Sequence, residues 1–191
     1  MSSAWECERH GAVHPFHVVA RPGTEPLRQA AAQSGVPLWS PLPLLAGWSI
    51  TGLGAVGDGR GKAKASVLAL SGPSPLGGPA DLLLVAEEPG VGLGGRYTGL
   101  SMLDPGSATD VPPEAKVEAA GHPTALWRCP SSEDRVAFFG EAMAVWLWAV
   151  LWPAAAELVL VEHMVLHDLR HGAHQLIDLP FGAPTPRVSQ A

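Results

Sequence analysis

Ala144-Val145-Trp146-Leu147-Trp148-Ala149-Val150-Leu151-Trp152 is apolar at every position and runs directly into Pro153. A short run with no polar residue has no periodicity, so on pattern alone it is either a strand buried on both faces or a core helix. Tryptophan and valine fit a pleated surface, and the stop at proline suits a strand end, so the reading favours a strand. Side chains alternate along a strand, which puts Trp146, Trp148 and Trp152 on one face and Val145, Leu147, Ala149 and Leu151 on the other. Both faces then need cover, by a helix, by a proline-rich arm or by another chain. The plain consequence is the middle of a sheet. The sharper one is a tryptophan-lined surface for a protein partner or an apolar ligand.

Upstream, Asp81-Leu82-Leu83-Leu84-Val85-Ala86 is a second apolar run, bounded by Gly and Pro, and reads as a buried strand. Trp48-Ser49-Ile50-Thr51 opens a strand, Asp58-Gly59-Arg60-Gly61 is a turn, and 65–70 is the antiparallel return. Residues 72–79 read as a loop, and shorter strands are expected at 116–120, 124–128 and 136–139. Thr24 can cap a helix that runs through Leu27 and Ala30 to a stop at Gly35. Val36-Pro37-Leu38-Trp39-Ser40-Pro41-Leu42-Pro43 is too rich in proline for regular structure and too apolar for a free linker, so it is expected as an extended cover on the body. Residues 153–171 leave two readings open. Pro153 at the start, Leu158, Val161, Val165 and Leu169 along one face and Gly172 beyond suit a helix, whereas Leu158-Val159-Leu160-Val161 is equally a strand. Together the elements predict an α+β fold over 24–191, a single domain of mainly antiparallel sheet with one or two helices. Residues 1–20 are expected to form a short zinc-ribbon remnant and an extended arm.

Of the 191 residues 47% are hydrophobic and 16% charged, enough to build a core and too apolar for disorder. The 22 glycines and 19 prolines call for short elements and many turns. A net charge of −6, with Arg60-Gly61-Lys62-Ala63-Lys64 the one basic cluster, speaks against a nucleic-acid surface. Glu6, Cys7, Glu8 and Arg9 stand where a signal peptide would carry its apolar stretch. The longest apolar run, 142–152, is eleven residues, against the roughly 20 that a membrane helix needs. With Cys7 and Cys129 the only cysteines, a reduced, cytoplasmic setting off the membrane is expected.

Two histidine-bearing segments raise metal chemistry. Trp5-Glu6-Cys7-Glu8-Arg9-His10-Gly11 looks like half of a zinc knuckle, because thiolate and imidazole at this spacing form one of the two ligand pairs a structural zinc requires. His14 and His17 could complete it, or two copies could share one ion; otherwise these imidazoles are surface groups. His163, His167, His171 and His174 share a helical face if 153–171 is a helix, and His163 with His167 could then hold a metal. Glu162 lies before His163 and not between the pair, so this is not the zinc-protease pattern, and the simpler role is the polar face of an amphipathic element.

Gly52-Leu53-Gly54-Ala55-Val56-Gly57 and Gly90-Val91-Gly92-Leu93-Gly94-Gly95 both fit the dinucleotide-binding glycine pattern. That fingerprint works only where a helix starts inside it, and neither segment shows one, so both read as turns or bulges between strands and no organic cofactor is expected. Arg128 beside Cys129 could activate the thiol, though a lone cysteine is more often inert packing. Glu87 and Glu88 are adjacent, so on a strand they point to opposite faces and read as a solvated strand end. No catalytic residue stands out.

The segments Trp5 to Pro15, Pro41 to Thr51, Ser71-Gly72-Pro73-Ser74-Pro75-Leu76-Gly77-Gly78, Leu84-Val85-Ala86-Glu87-Glu88-Pro89-Gly90-Val91-Gly92-Leu93-Gly94 and Trp146 to Pro153 resemble a family of uncharacterised proteins of high-GC Gram-positive bacteria. The resemblance spans nearly the whole chain. It implies an N-terminal zinc ribbon in which a C-x2-C pair precedes the W-x-C-x2-H-G segment. Here the sequence opens Met1-Ser2-Ser3-Ala4, and that first pair is absent. The functional expectation is therefore a non-enzymatic cytoplasmic binding or interaction protein with a vestigial or incomplete zinc site at Cys7 and His10. The alternative is a metal-dependent enzyme using the C-terminal histidines.

Overall fold

The computed structural model describes residues 6–7, 11–12, 14–99, 105, 111–160, 164–171, 176 and 178–190. Its strands are β1 (Glu6–Cys7), β2 (Gly11–Ala12), β3 (Phe16–Val18), β4 (Trp39–Pro41), β5 (Ser49–Val56), β6 (Ala65–Pro73), β7 (Pro79–Glu87), β8 (Ala115–Ala119), β9 (His122–Cys129), β10 (Val136–Ala142), β11 (Val145–Trp152) and β12 (Met164–Asp168). Two α-helices accompany them, α1 (Thr24–Gln33) and α2 (Leu93–Tyr97).

The all-apolar run is β11, and it lies inside a ten-stranded sheet ordered β3-β5-β6-β7-β11-β10-β9-β8-β12-β4. It pairs with β7 on one side, Trp148 opposite Val85, and with β10 on the other, Trp148 opposite Phe139. Met143 and Ala144 make the tight connection from β10 with φ of 55° and 61°, the backbone that a two-residue hairpin demands. Leu147, Ala149 and Leu151 point into one core with Leu68, Leu70, Leu82 and Leu84. Trp148, Val150 and Trp152 point into a second core with Val67, Leu83, Val85 and Phe139. Apolar residues at every position are thus what a central strand with two buried faces requires.

The first core is closed by Leu27 and Ala31 of α1, by Trp39 of β4, and by Ala156, Val159 and Leu160 of a 3-10 segment at Ala154–Leu160. Strand β4 packs back over β6 and β7, and Ser66 Oγ donates to Pro37 O at 2.6 Å, so the sheet wraps around this core. The second core is covered by Leu93 and Tyr97 of α2 and by Val188 from the C-terminal segment.

The fold class is largely β, which corrects the expected α+β. Two physical reasons account for it. Residues 154–160 stop after a 3-10 segment, and Met164-Val165-Leu166-His167-Asp168 then alternates buried with half-buried positions, the period of a strand and not of a helix. This β12 also runs parallel to β8, so the sheet is mixed and not simply antiparallel. The proline-rich 36–43 segment contributes a buried strand, β4, paired to β12. The expected 72–79 loop is shorter, since β6 and β7 extend until Pro73 faces Pro79. At the N-terminus a zinc ribbon is not described: β1 pairs with β2, Cys7 opposite Gly11, and β3 joins the main sheet beside β5.

Candidate functional site

Near the β6–β7 turn the second core gives way to polar side chains. Register places Ser49 of β5 opposite Ser71 of β6, and Ser71 opposite Asp81 of β7. A β-bulge between Ile50 and Gly52 adds Thr51 as an extra residue, and bulges re-aim side chains in this way. Thr51 Oγ1 lies 2.7 Å from Ser71 Oγ, and Ser71 Oγ donates to Asp81 Oδ1 at 2.5 Å. A relay of two hydroxyls and a carboxylate therefore crosses three adjacent strands.

The opposite wall is the C-terminal strap, residues 180–190. It follows the free half of β5: Ile50 N donates to Pro180 O and Gly182 N to Ile50 O, both at 2.9 Å, and Thr185 N donates to Thr51 O at 2.9 Å. Position 182 must be small, because a Cβ there would meet Ser49 Oγ at 2.6 Å. Between wall and relay lies an open groove of about 630 Å³, lined by Ser49, Thr51, Ser71, Asp81, Gly182 and Thr185 among others. Beyond the groove Arg187 stacks over Trp152 at 5.2 Å, with Nε 3.7 Å from Asp81 Oδ2 and Nη1 3.9 Å from Asp134 Oδ2.

The residues singled out from sequence lie elsewhere. His10, His163 and His174 fall outside the described residues, and of Cys7 only the backbone pairing is described. His14 is half-buried. His17 is exposed on β3, and its Nε2 sits 3.2 Å from the Gly57 carbonyl, which makes that nitrogen the protonated one and leaves only Nδ1 for a metal. His167 is half-buried on β12, and His171 is exposed, 3.7 Å from Asp168 Oδ2. Asp168 is instead a structural clamp: its carboxylate accepts from Leu38 N and from the Arg170 guanidinium. Among the described residues no three of His, Cys, Asp and Glu gather in a way that could hold a metal ion.

Neither glycine pattern is a simple turn. The first lies inside β5, where Gly52 admits Val188 and Gly54 admits Phe16 against the strand. The second does start a helix, α2, which overturns the turn reading there. Its first amides are already occupied: Glu87, fully buried, accepts from Leu93 N at 2.5 Å and from Gly94 N at 3.3 Å. A phosphate would find a carboxylate in its place. Glu87 is therefore a buried anchor, not the solvated strand end expected, while Glu88 is exposed. Cys129 is buried, its thiol pushed up to about 12 by burial, and Arg128 turns away from it to pair with Glu114 and Glu157. Trp148 and Trp152 are buried, whereas Trp127 and Trp146 are half-buried and flank Phe139 at 6.1 and 6.0 Å.

Sequence reasoning passed over Ser71, Asp81 and Arg187. They are far apart in the chain, and only the strand register brings them together. Residues 1–188 match the family described as "Family of unknown function (DUF6758)". The chain belongs to that family. The match covers all the strands of the sheet and the strap as far as Val188. No curated protein and no solved structure matches the chain. Among the described residues no helix is long and apolar enough to cross a membrane.

Proposed function

We propose that this DUF6758 protein is a non-enzymatic binding protein of the cytoplasm, whose ligand seats in the groove between the β5–β6–β7 strand ends and the strap. The observation that carries the reading is the Thr51–Ser71–Asp81 relay on an open floor. Thr51 is buried, but Ser71 and Asp81 are only half-buried, so the charged end of this hydrogen-bonded chain lies within reach of a ligand in the groove. A second groove of about 640 Å³ runs past Arg128, but there the guanidinium is held between Glu114 and Glu157 and its charge is already answered. The first groove is the better binding site for that reason. Cys7 and His10 are then an incomplete zinc site of the ribbon type, in a protein of high-GC Gram-positive origin, and not the functional centre.

The test is an amide-shift titration of isotope-labelled protein with four small probes: erythritol, n-butylammonium, acetate and inorganic phosphate. At least one should shift the amides of Ser71, Asp81 and Gly182 saturably, and Ser71→Ala should weaken that response. If no probe moves those amides, the groove is not a binding site and the proposal falls.

A further inference from the structure

Resting on the groove as the binding site, we infer that its ligand docks through a primary ammonium group on Asp81, and that Arg187 of the strap is an internal stand-in for that cation. The argument starts from a proton count. Ser71 has one hydroxyl proton, and a carboxylate can only accept, so the 2.5 Å contact from Ser71 Oγ to Asp81 Oδ1 consumes it. The 2.7 Å contact between Thr51 and Ser71 must then run from Thr51 to Ser71. Both relay protons are spent inward. What the relay offers a ligand is lone pairs, on Thr51 Oγ1 and on Asp81 Oδ2. A ligand seated on the relay has to donate to it, whatever it accepts from the Ser49 and Thr185 hydroxyls that line the same groove.

Charge narrows the class. Among the described residues that line the groove, Asp81 is the sole ionisable side chain, so the site favours a cation over a neutral donor. Arg187 already answers that charge, but loosely. Its Nε stands 3.7 Å from Asp81 Oδ2, beyond hydrogen-bond length, and the guanidinium is divided between Asp81, Asp134, the Trp152 ring and Gln190 Oε1, to which Nη1 donates at 3.3 Å. An ammonium is compact, with three donors that can turn toward both free acceptors, and it would make the direct charged bond of about 2.8 Å that Arg187 does not. Arg187 would keep Asp134 and Trp152 when displaced. The strap thus competes with the ligand for one carboxylate oxygen, and ligand entry relieves a contact between strap and sheet.

Titrating n-butylammonium against the full chain tests this, with 1-butanol as the uncharged isostere and erythritol as the neutral donor. The ammonium should shift the Ser71, Asp81 and Gly182 amides and 1-butanol should not. Asp81→Asn should weaken ammonium binding about tenfold or more, the loss expected for one charged hydrogen bond. Arg187→Gln should tighten it about threefold. Ammonium affinity unchanged in Asp81→Asn, or unchanged or weaker in Arg187→Gln with the Thr185 amide still protected, overturns the inference. Should Arg187→Gln undock the strap, the Asp81→Asn comparison decides alone. Binding of erythritol, acetate or phosphate without ammonium binding sinks the cation inference and leaves the groove reading standing; silence from all four probes sinks the two together.

Discussion

Glu87 shows how much a single buried side chain organises. It ends β7, has no solvent contact, and its carboxylate caps the first amides of α2. In Glu87→Gln the amide group of the new side chain must face one backbone N–H that needs an acceptor. The expected cost is about 1–3 kcal/mol, the penalty of a buried group left unsatisfied. Denaturant melts measure that cost, and faster hydrogen exchange at Leu93 and Gly94 should accompany it. Cys129 makes a different statement. An unfolded thiol ionises near 8.5, while the folded one is pushed up to about 12 by burial. Between those values the unfolded chain holds fewer protons, so stability is whole below about pH 8.5 and declines as pH rises toward 12. From pH 8 to pH 10 wild type should lose about 2 kcal/mol more than Cys129→Ala, which has nothing to titrate there. Equal losses in the two proteins would contradict the buried-thiol assignment. Cys129 was legible from sequence as inert packing, whereas Glu87 was not legible as a buried anchor. Glu87 shares its acidic pair with Glu88, and only the strand's pleat and the helix beyond it decide which of the two is buried.

At the scale of elements, β11 was the most readable piece of the chain. An apolar residue at every position, ending on proline, leaves a strand with two buried faces, and alternation assigned its tryptophans to one face correctly. The segment after it was not readable, because Leu158-Val159-Leu160-Val161 satisfies two periods at once. What broke the tie was tertiary: β12 finds both β8 and β4 as neighbours. The same holds for the groove, whose Ser49, Ser71 and Asp81 are ordinary strand-end residues until pairing aligns them. Trp148 allows a sharp test of β11. It is fully buried, and Gly94 of α2 lies so close that a Cβ there would meet the indole Cδ1 at 2.3 Å. Trp148→Ala should cost about 3–5 kcal/mol. Gly94→Ala should cost about 1–3 kcal/mol in wild type by overpacking, and far less in the Trp148→Ala background, where the cavity receives the methyl group. Additive losses in the double mutant would mean that the helix does not rest on this ring.

Across the whole molecule, the sheet manages its edges by covering them. β3 shields one half of β5, and the strap, bonded to Ile50 and Thr51, shields the other; unpaired strand edges invite pairing with other chains. The far edge, β4, is only three residues and contains Pro41. The strap does more than cover an edge, because Val188 is buried over Gly52 and its carbonyl accepts from the Tyr97 hydroxyl at 2.7 Å. Tyr97 is the one tyrosine of the chain, and burial raises its phenol well above the ordinary value of 10. It is therefore a spectroscopic reporter of strap docking. In the 191-residue chain tyrosinate absorbance should not develop near pH 10 and should appear only as the fold is lost. A chain ending at Thr185 lacks both Val188 and Arg187, which opens the phenol to water. Its tyrosine should titrate close to 10, and its stability should fall by about 2–4 kcal/mol, the loss of a buried valine together with a buried hydrogen bond. If the truncated chain keeps the delayed titration, something other than the strap covers Tyr97.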